Sequence, residues 1–300
     1  MQIKTDTSSV SAVRASRATG GVIPQGDEGA CSCGGGAAAT EPEEPAYIYA
    51  AGRIEARFPR LSIEKEFLQV AGRADAKGLT DQQTFHAVLS QPRNLYLARQ
   101  MCWVLSIQGI DTYLLVPRCL TDLQQLIESI RPMPRQTDLD VVIGTKGPLA
   151  PPTMCNGLVL PLVGIDQVYS FDIDGILKAL PRPDGMEDAR FRASSEELIT
   201  RLLQLTDNAG ADDSHRAVNY LAVRYQGIYK LAAEQFGRNF SLTGVDVQPS
   251  RLSGTRRIVD VIFSHSHRDT DVIEKFFVRV DVTEQFPFLI SKLQPFFDRQ

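Results

Sequence analysis

No apolar run in this sequence is long enough to cross a bilayer core, which takes ~20 consecutive residues. The longest, 157–165, is interrupted by Pro161. Residues 1–21 scatter their basic side chains among serine and threonine and contain no continuous apolar core, so no secretory signal is expected. Excess charge is also scarce. A formal net charge of −4 and a pI of 5.7 exclude a general nucleic-acid binder, which would carry a basic face. Cysteines are few and odd in number: Cys31, Cys33, Cys102, Cys119 and Cys155. That scatter predicts reduced thiols in a cytoplasmic protein rather than a disulfide framework. G-x-S-x-G, H-E-x-x-H, the Walker loop and G-x-G-x-x-G are all absent, so the commonest hydrolase, zinc and nucleotide classes have no foothold.

What is present divides the chain. Residues 1–45 have no aromatic residue and seven glycines, a segment unable to bury enough apolar surface to offset its ordering entropy. They are expected to form a disordered tail carrying the C-x-C of Cys31 and Cys33. From Tyr47 onward helix and strand patterns alternate. Ile63, Phe67, Val70 and Ala71 share one helical face behind Ser62 as N-cap. Capping boxes are expected at Thr80 with Gln83 and at Thr121 with Gln124. Runs 102–107 and 110–116, split by Gln108-Gly109, predict a hairpin. Further strands are expected at 139–143 and 158–171, and a short helix at 173–180.

The polar stretch 181–191 is the best internal boundary, giving an N-terminal half, 46–180, and a C-terminal half, 186–300. The latter is expected to open with a helix capped by Ser194 and Glu197. One long helix over 214–236 should follow, then strands at 241–247, 258–264 and 273–283. In the last, Phe276, Val278, Val280 and Val282 alternate against Phe277, Arg279 and Asp281. Helices clustered apart from antiparallel hairpins predict an α+β fold of two packed halves, not a doubly wound sheet.

Three places carry residues with chemistry. His265-Ser266-His267-Arg268-Asp269 puts two imidazoles at i and i+2 on one face of an extended segment, with Asp269 as a carboxylate ligand. The spacing resembles the opening of the metallo-β-lactamase zinc motif, but Thr270 stands where that motif has another histidine. A polar hairpin loop is the competing expectation, and no cofactor is expected under it. Cys31 and Cys33 supply two thiolates for metal or exchange chemistry, and Cys155, in a turn-like setting, is the remaining thiol candidate. Arg251, Arg256 and Arg257 surround a flexible Ser-Gly-Thr, a cluster suited to carboxylates of an acidic partner.

Segments 47–59, 96–103, 151–157, 169–174, 207–210, 219–225, 249–256 and 277–283 resemble the C-terminal region of PatG-type cyanobactin maturation proteases. The resemblance spans roughly 46–300. It implies a context, the making of ribosomally produced, modified cyclic peptides, and it carries over no catalytic residue. The subsystem with a subtilisin-like protease has no counterpart here, so peptidase activity is not expected. The expectation is a non-catalytic accessory module that binds a precursor peptide or a partner maturation enzyme. It would act without nucleic acid or membrane, with a homodimer as the base-rate assembly. Two alternatives compete: a peptide-modifying enzyme with a novel metal or thiol site, and a fused substrate whose tail cysteines are modified.

Overall fold

A computed structural model describes residues 46–73, 80–135, 137–180, 185–205 and 207–297. The tail expectation, with Cys31 and Cys33, lies outside the described residues, as does 181–184 of the boundary stretch. Glu44–Gln300 form one compact unit. The first half runs β1 (Ala46–Arg57), α1 (Leu61–Arg73), α2 (Asp81–Leu89), α3 (Leu95–Ala98), β2 (Cys102–Ile107), β3 (Ile110–Val116), α4 (Leu120–Ser129), β4 (Asp138–Leu149) and β5 (Pro161–Asp172). Its five strands close into a barrel in the order β1-β2-β3-β5-β4. Every pairing is antiparallel except β3 with β5, where Leu114 to Val116 run parallel to Leu162 to Gly164.

A barrel of so few strands has room inside only for side chains. Ile48, Leu105, Val142, Val163 and Ile165 fill it, and Phe67, Leu89, Leu97 and Leu126 from the helices join the same core. The strands approach closely where side chains are missing. A Cβ on Gly144 would lie 2.4 Å from the Gly164 carbonyl oxygen. Tyr49, Ala51, Leu139, Val141 and Ile143 point outward instead, against Tyr220 and Val223 of the second half. Residues 48–52 of β1 and 138–144 of β4 are thus covered on both faces, where their apolar residues run nearly without alternation.

The second half contains α5 (Ile173–Ala179), α6 (Asp188–Leu203), α7 (Asp213–Arg224), α8 (Gly227–Gly237), β6 (Phe240–Pro249), β7 (Ile258–His267), β8 (Ile273–Asp281), β9 (Phe288–Leu289) and β10 (Gln294–Pro295). The sheet order is β10-β8-β7-β6, with β9 also on β8. Val259, Val261, Phe263, Val278 and Val280 pack against Leu198, Leu202, Val218, Leu221 and Tyr229 of the helices. The alternation expected along the last long strand is borne out for its valines. The opposite face is covered as well, with Phe277 and Asp281 both buried.

The α+β class with antiparallel strands in two sheets is as expected; barrel closure through one parallel pair was not foreseen. The Thr80–Gln83 capping box forms in both directions. Gln108 and Gly109 both take positive φ, 51° and 80°, the signature of a tight hairpin turn. Several helix starts differ. α1 begins at Leu61, ahead of Ser62. The α4 cap is Cys119, not Thr121, because Asp122 takes the N–H groups of both Arg118 (2.8 Å) and Cys119 (3.1 Å). α6 begins at Asp188, and Ser194 is buried mid-helix with its hydroxyl donating to the Phe191 carbonyl. The expected long helix is two. Tyr225 turns extended, and its ring fills the space that a Cβ on Gly227 would need, 2.5 Å from Cζ.

The halves are fastened at Tyr49 by one main-chain and one side-chain bond. Tyr49 N–H donates to the Gly210 carbonyl at 2.8 Å, and Asn219 Nδ2 donates to the Tyr49 carbonyl at 2.8 Å. Asn219 and Asn208 exchange a reciprocal amide pair at 2.7 and 3.0 Å, both nearly fully buried. Gly210 is required there: its φ is +68° and a Cβ would meet the Tyr49 oxygen at 2.4 Å.

Candidate functional site

The three places singled out in the sequence fare differently. His265 and His267 lie within β7 rather than in the loop after it. His265 is 2% exposed with the Phe276 ring edge-on at 6.0 Å, and neither ring nitrogen has a hydrogen-bond partner. Burial pushes its pKa down to about 4, so the imidazole is neutral. His267 stands edge-on to Phe240, and its Nδ1 accepts the Asp269 N–H at 3.2 Å. Asp269 in turn accepts a hydrogen bond from Asn239. The metal expectation is therefore corrected: each side chain is engaged with a separate neighbour. Among the described residues no three His, Cys, Asp or Glu side chains come together to hold an ion.

Cys155 is likewise corrected as a thiol candidate. It is bonded to Cys102 with Cα atoms 5.9 Å apart, buried beside Val104, Leu114 and Ala150. The expectation of uniformly reduced cysteines fails because the β4–β5 connection folds back over β2. Backbone bonds from Ala150 to Leu160 and from Gly157 to Pro152 hold it there. Cys119 is exposed and free.

In the arginine loop, Arg256 pairs with Asp281, which is 1% exposed, and lies over the Phe288 ring at 5.1 Å. Arg257 donates to the Thr283 carbonyl at 2.9 Å and sits 3.7 Å from Asp213. Two of the three guanidinium groups thus tie the loop to the end of β8. Arg251 is left exposed to solvent.

Two further features stand out. The first is the outer edge of β6, a ten-residue strand whose only neighbour among the described strands is β7. The second is a cleft of about 270 Å³ at the barrel end, between β1, the start of α2 and the segment after α4. Phe85, Ile130 and Pro134 form its apolar wall. Asp140 lies beneath it, 1% exposed, accepting from Ile54 N–H (2.9 Å), Ser170 Oγ (2.7 Å) and Arg131 (3.4 Å). Burial raises the Asp140 pKa, against the pull of those donors. Arg131 is also 3.6 Å from Asp138, and Arg135 pairs with Asp172 at 3.2 Å. The visible signal was the pair Asp138 and Asp140 flanking the apolar run Val141–Ile143, since buried carboxylates need donors nearby.

The arrangement is a small closed barrel joined to an antiparallel sheet covered by helices. Residues 185–296 match the family model described as PatG C-terminal, bearing out the resemblance read from the sequence. A solved structure described as "PatG Domain of Unknown Function" superposes with a TM-score of 0.67 at 18% identity. That match covers 84% of this chain and 98% of the other, so the fold is shared well beyond the segment matched in sequence. Among curated proteins none matches.

Proposed function

We propose that this chain is a non-catalytic recognition module in the biosynthesis of a ribosomally produced, post-translationally modified peptide of the cyanobactin type. It binds a precursor peptide or a partner maturation enzyme. The observation that carries this reading is the unpaired edge of β6. Ten residues of strand there present main-chain donors and acceptors to any extended segment, the chemistry of strand addition. The PatG C-terminal match supports the pathway context. Arg251, exposed just beyond β6, adds a positive charge suited to an acidic residue of the partner.

The test is calorimetric titration of the full chain with a cyanobactin-type precursor peptide and, separately, with a maturation enzyme of that pathway. One-to-one binding to either is expected, and heat-silent titrations against both overturn the reading. Light scattering on the same sample reports whether the chain forms a homodimer.

A further inference from the structure

The cleft at the barrel end is a second, better-defined strand edge, and the inference drawn from it rests on the recognition reading above. β1 changes neighbours halfway along. Ala46 to Gly52 pair with β4, whose ladder stops at Gly52 with Asp140, whereas Arg53 to Arg57 pair with β2 alone. The Ile54 N–H goes to the Asp140 carboxylate, so Ile54 opposite Leu105 is a pair without mutual hydrogen bonds. Antiparallel ladders alternate strictly, so Ala56 opposite Trp103 is another such pair. The Ala56 N–H and C=O therefore point away from β2, into the cleft that Ala56 lines. No described residue takes them. Buried or half-buried main-chain groups in that state are uncommon and call for a partner.

We propose that this cleft docks an extended peptide, which adds antiparallel to β1 so that one of its residues exchanges both main-chain hydrogen bonds with Ala56. An apolar side chain of the peptide rests on Phe85 and Pro134. The chemistry selects a main chain over a small anion. Arg131 and Arg135 are already paired with Asp138, Asp140 and Asp172, so a free anion would have to displace a carboxylate. The contact is short. Asp140 occupies the Ile54 donor, and Arg53 to Arg57 offer room for about four residues at ~3.4 Å each.

The site can be tested with a defined probe, acetyl-Lys-Thr-Val-Thr-Val-Thr-Lys-amide, titrated to millimolar concentration into the isotope-labelled full chain and followed by amide NMR. Saturable shifts at Ala56 and Gln82 are expected, with at least a tenfold slowing of Ala56 amide exchange. The same peptide N-methylated at both valines should produce neither. Ala56→Pro removes the outward donor, proline being tolerated on an open strand edge, and should abolish the shift at Gln82, the amide still readable in that variant. The wild-type exchange measurement stands alone if that variant misfolds. Protection appearing along β6 instead of at Ala56 overturns this site while leaving the recognition reading intact. Silence at both edges overturns the site and counts against that reading too.

Discussion

Replacing Asn219 with alanine is the sharpest perturbation of the bond between the halves. Asn219 is 1% exposed on α7, and its amide holds the Tyr49 carbonyl of β1 and the Asn208 side chain at once. Truncation leaves two buried acceptors without donors, the Tyr49 carbonyl and Asn208 Oδ1. Asn208 Nδ2 keeps a long bond to Leu202. Each orphaned buried group costs ~1–3 kcal/mol, so the sum is about 4 kcal/mol. For a unit of this size that corresponds to a fall in Tm of roughly 10 °C.

Urea unfolding followed by two probes reads both the loss and its coupling. The single tryptophan, Trp103, is buried in the barrel core and reports that half. Far-UV circular dichroism reports the helices of both halves together. Both transitions should move together, and a cycle with Asn208→Ala should show coupling of at least ~1 kcal/mol. A loss below ~1 kcal/mol, or a Trp103 transition that stays put while the dichroism moves, refutes the argument that this amide pair joins the halves.

Three further outcomes follow from the same reasoning. The folded His265 pKa of about 4 lies below the ordinary ~6.5, so the unfolded chain takes up the proton first as pH falls, and stability drops by ~2–3 kcal/mol between pH 6.5 and 4.5. Glu274, paired with Arg238, titrates below that window. The stability curve of His265→Leu should lack this drop, and parallel acid limbs would contradict it. Alkylation of the native chain should label Cys119 while Cys102 and Cys155 resist until reductant is added. Opening that loop, 53 residues in separation, should cost about 4 kcal/mol by chain entropy, so a reduced protein of unchanged midpoint would count against the bond. Arg256→Ala should lower stability by ~1–2 kcal/mol, because buried Asp281 loses its counter-charge. An unchanged melting curve would return Arg256 to the pool of residues available for a partner.

Local patterning was readable wherever a short segment determines its own geometry. The 102–116 hairpin, the Thr80 cap and the valine face of β8 follow from turn chemistry, capping and period-two alternation. What was not readable depends on distant partners. Asp122 binding two N–H groups moved the α4 cap to Cys119, and the extended Tyr225 divides one expected helix into two. Cys102 and Cys155 meet only because β5 pairs parallel to β3 and brings its preceding loop over β2. Likewise His265 and His267 have metal-ligand spacing, yet their shared face is packed against Phe276 and Phe240. Spacing alone does not report what already fills the space around a side chain.

The distribution of sheet edges bears on recognition more directly than any titratable cluster. Unpaired edges invite association, and proteins usually pair, cover or charge them. This chain does so at β8, whose outer edge receives β9 at Val280 and Asp281 and β10 at Phe276 and Phe277. It does so again around most of the barrel by closure. The β6 edge and the β1 opening differ in character. Along β6, exposed Thr243, Asp246 and Gln248 keep a long edge polar, and Pro249 ends it, features that discourage indiscriminate pairing while permitting a matched strand. At β1 the opening is short, walled by apolar side chains and blocked at one donor by Asp140, so it selects for length and for a residue that fits Phe85 and Pro134. Protection elsewhere makes these gaps specific: the β1 opening admits only a short segment with a fitting side chain, whereas the β6 edge admits any matched strand.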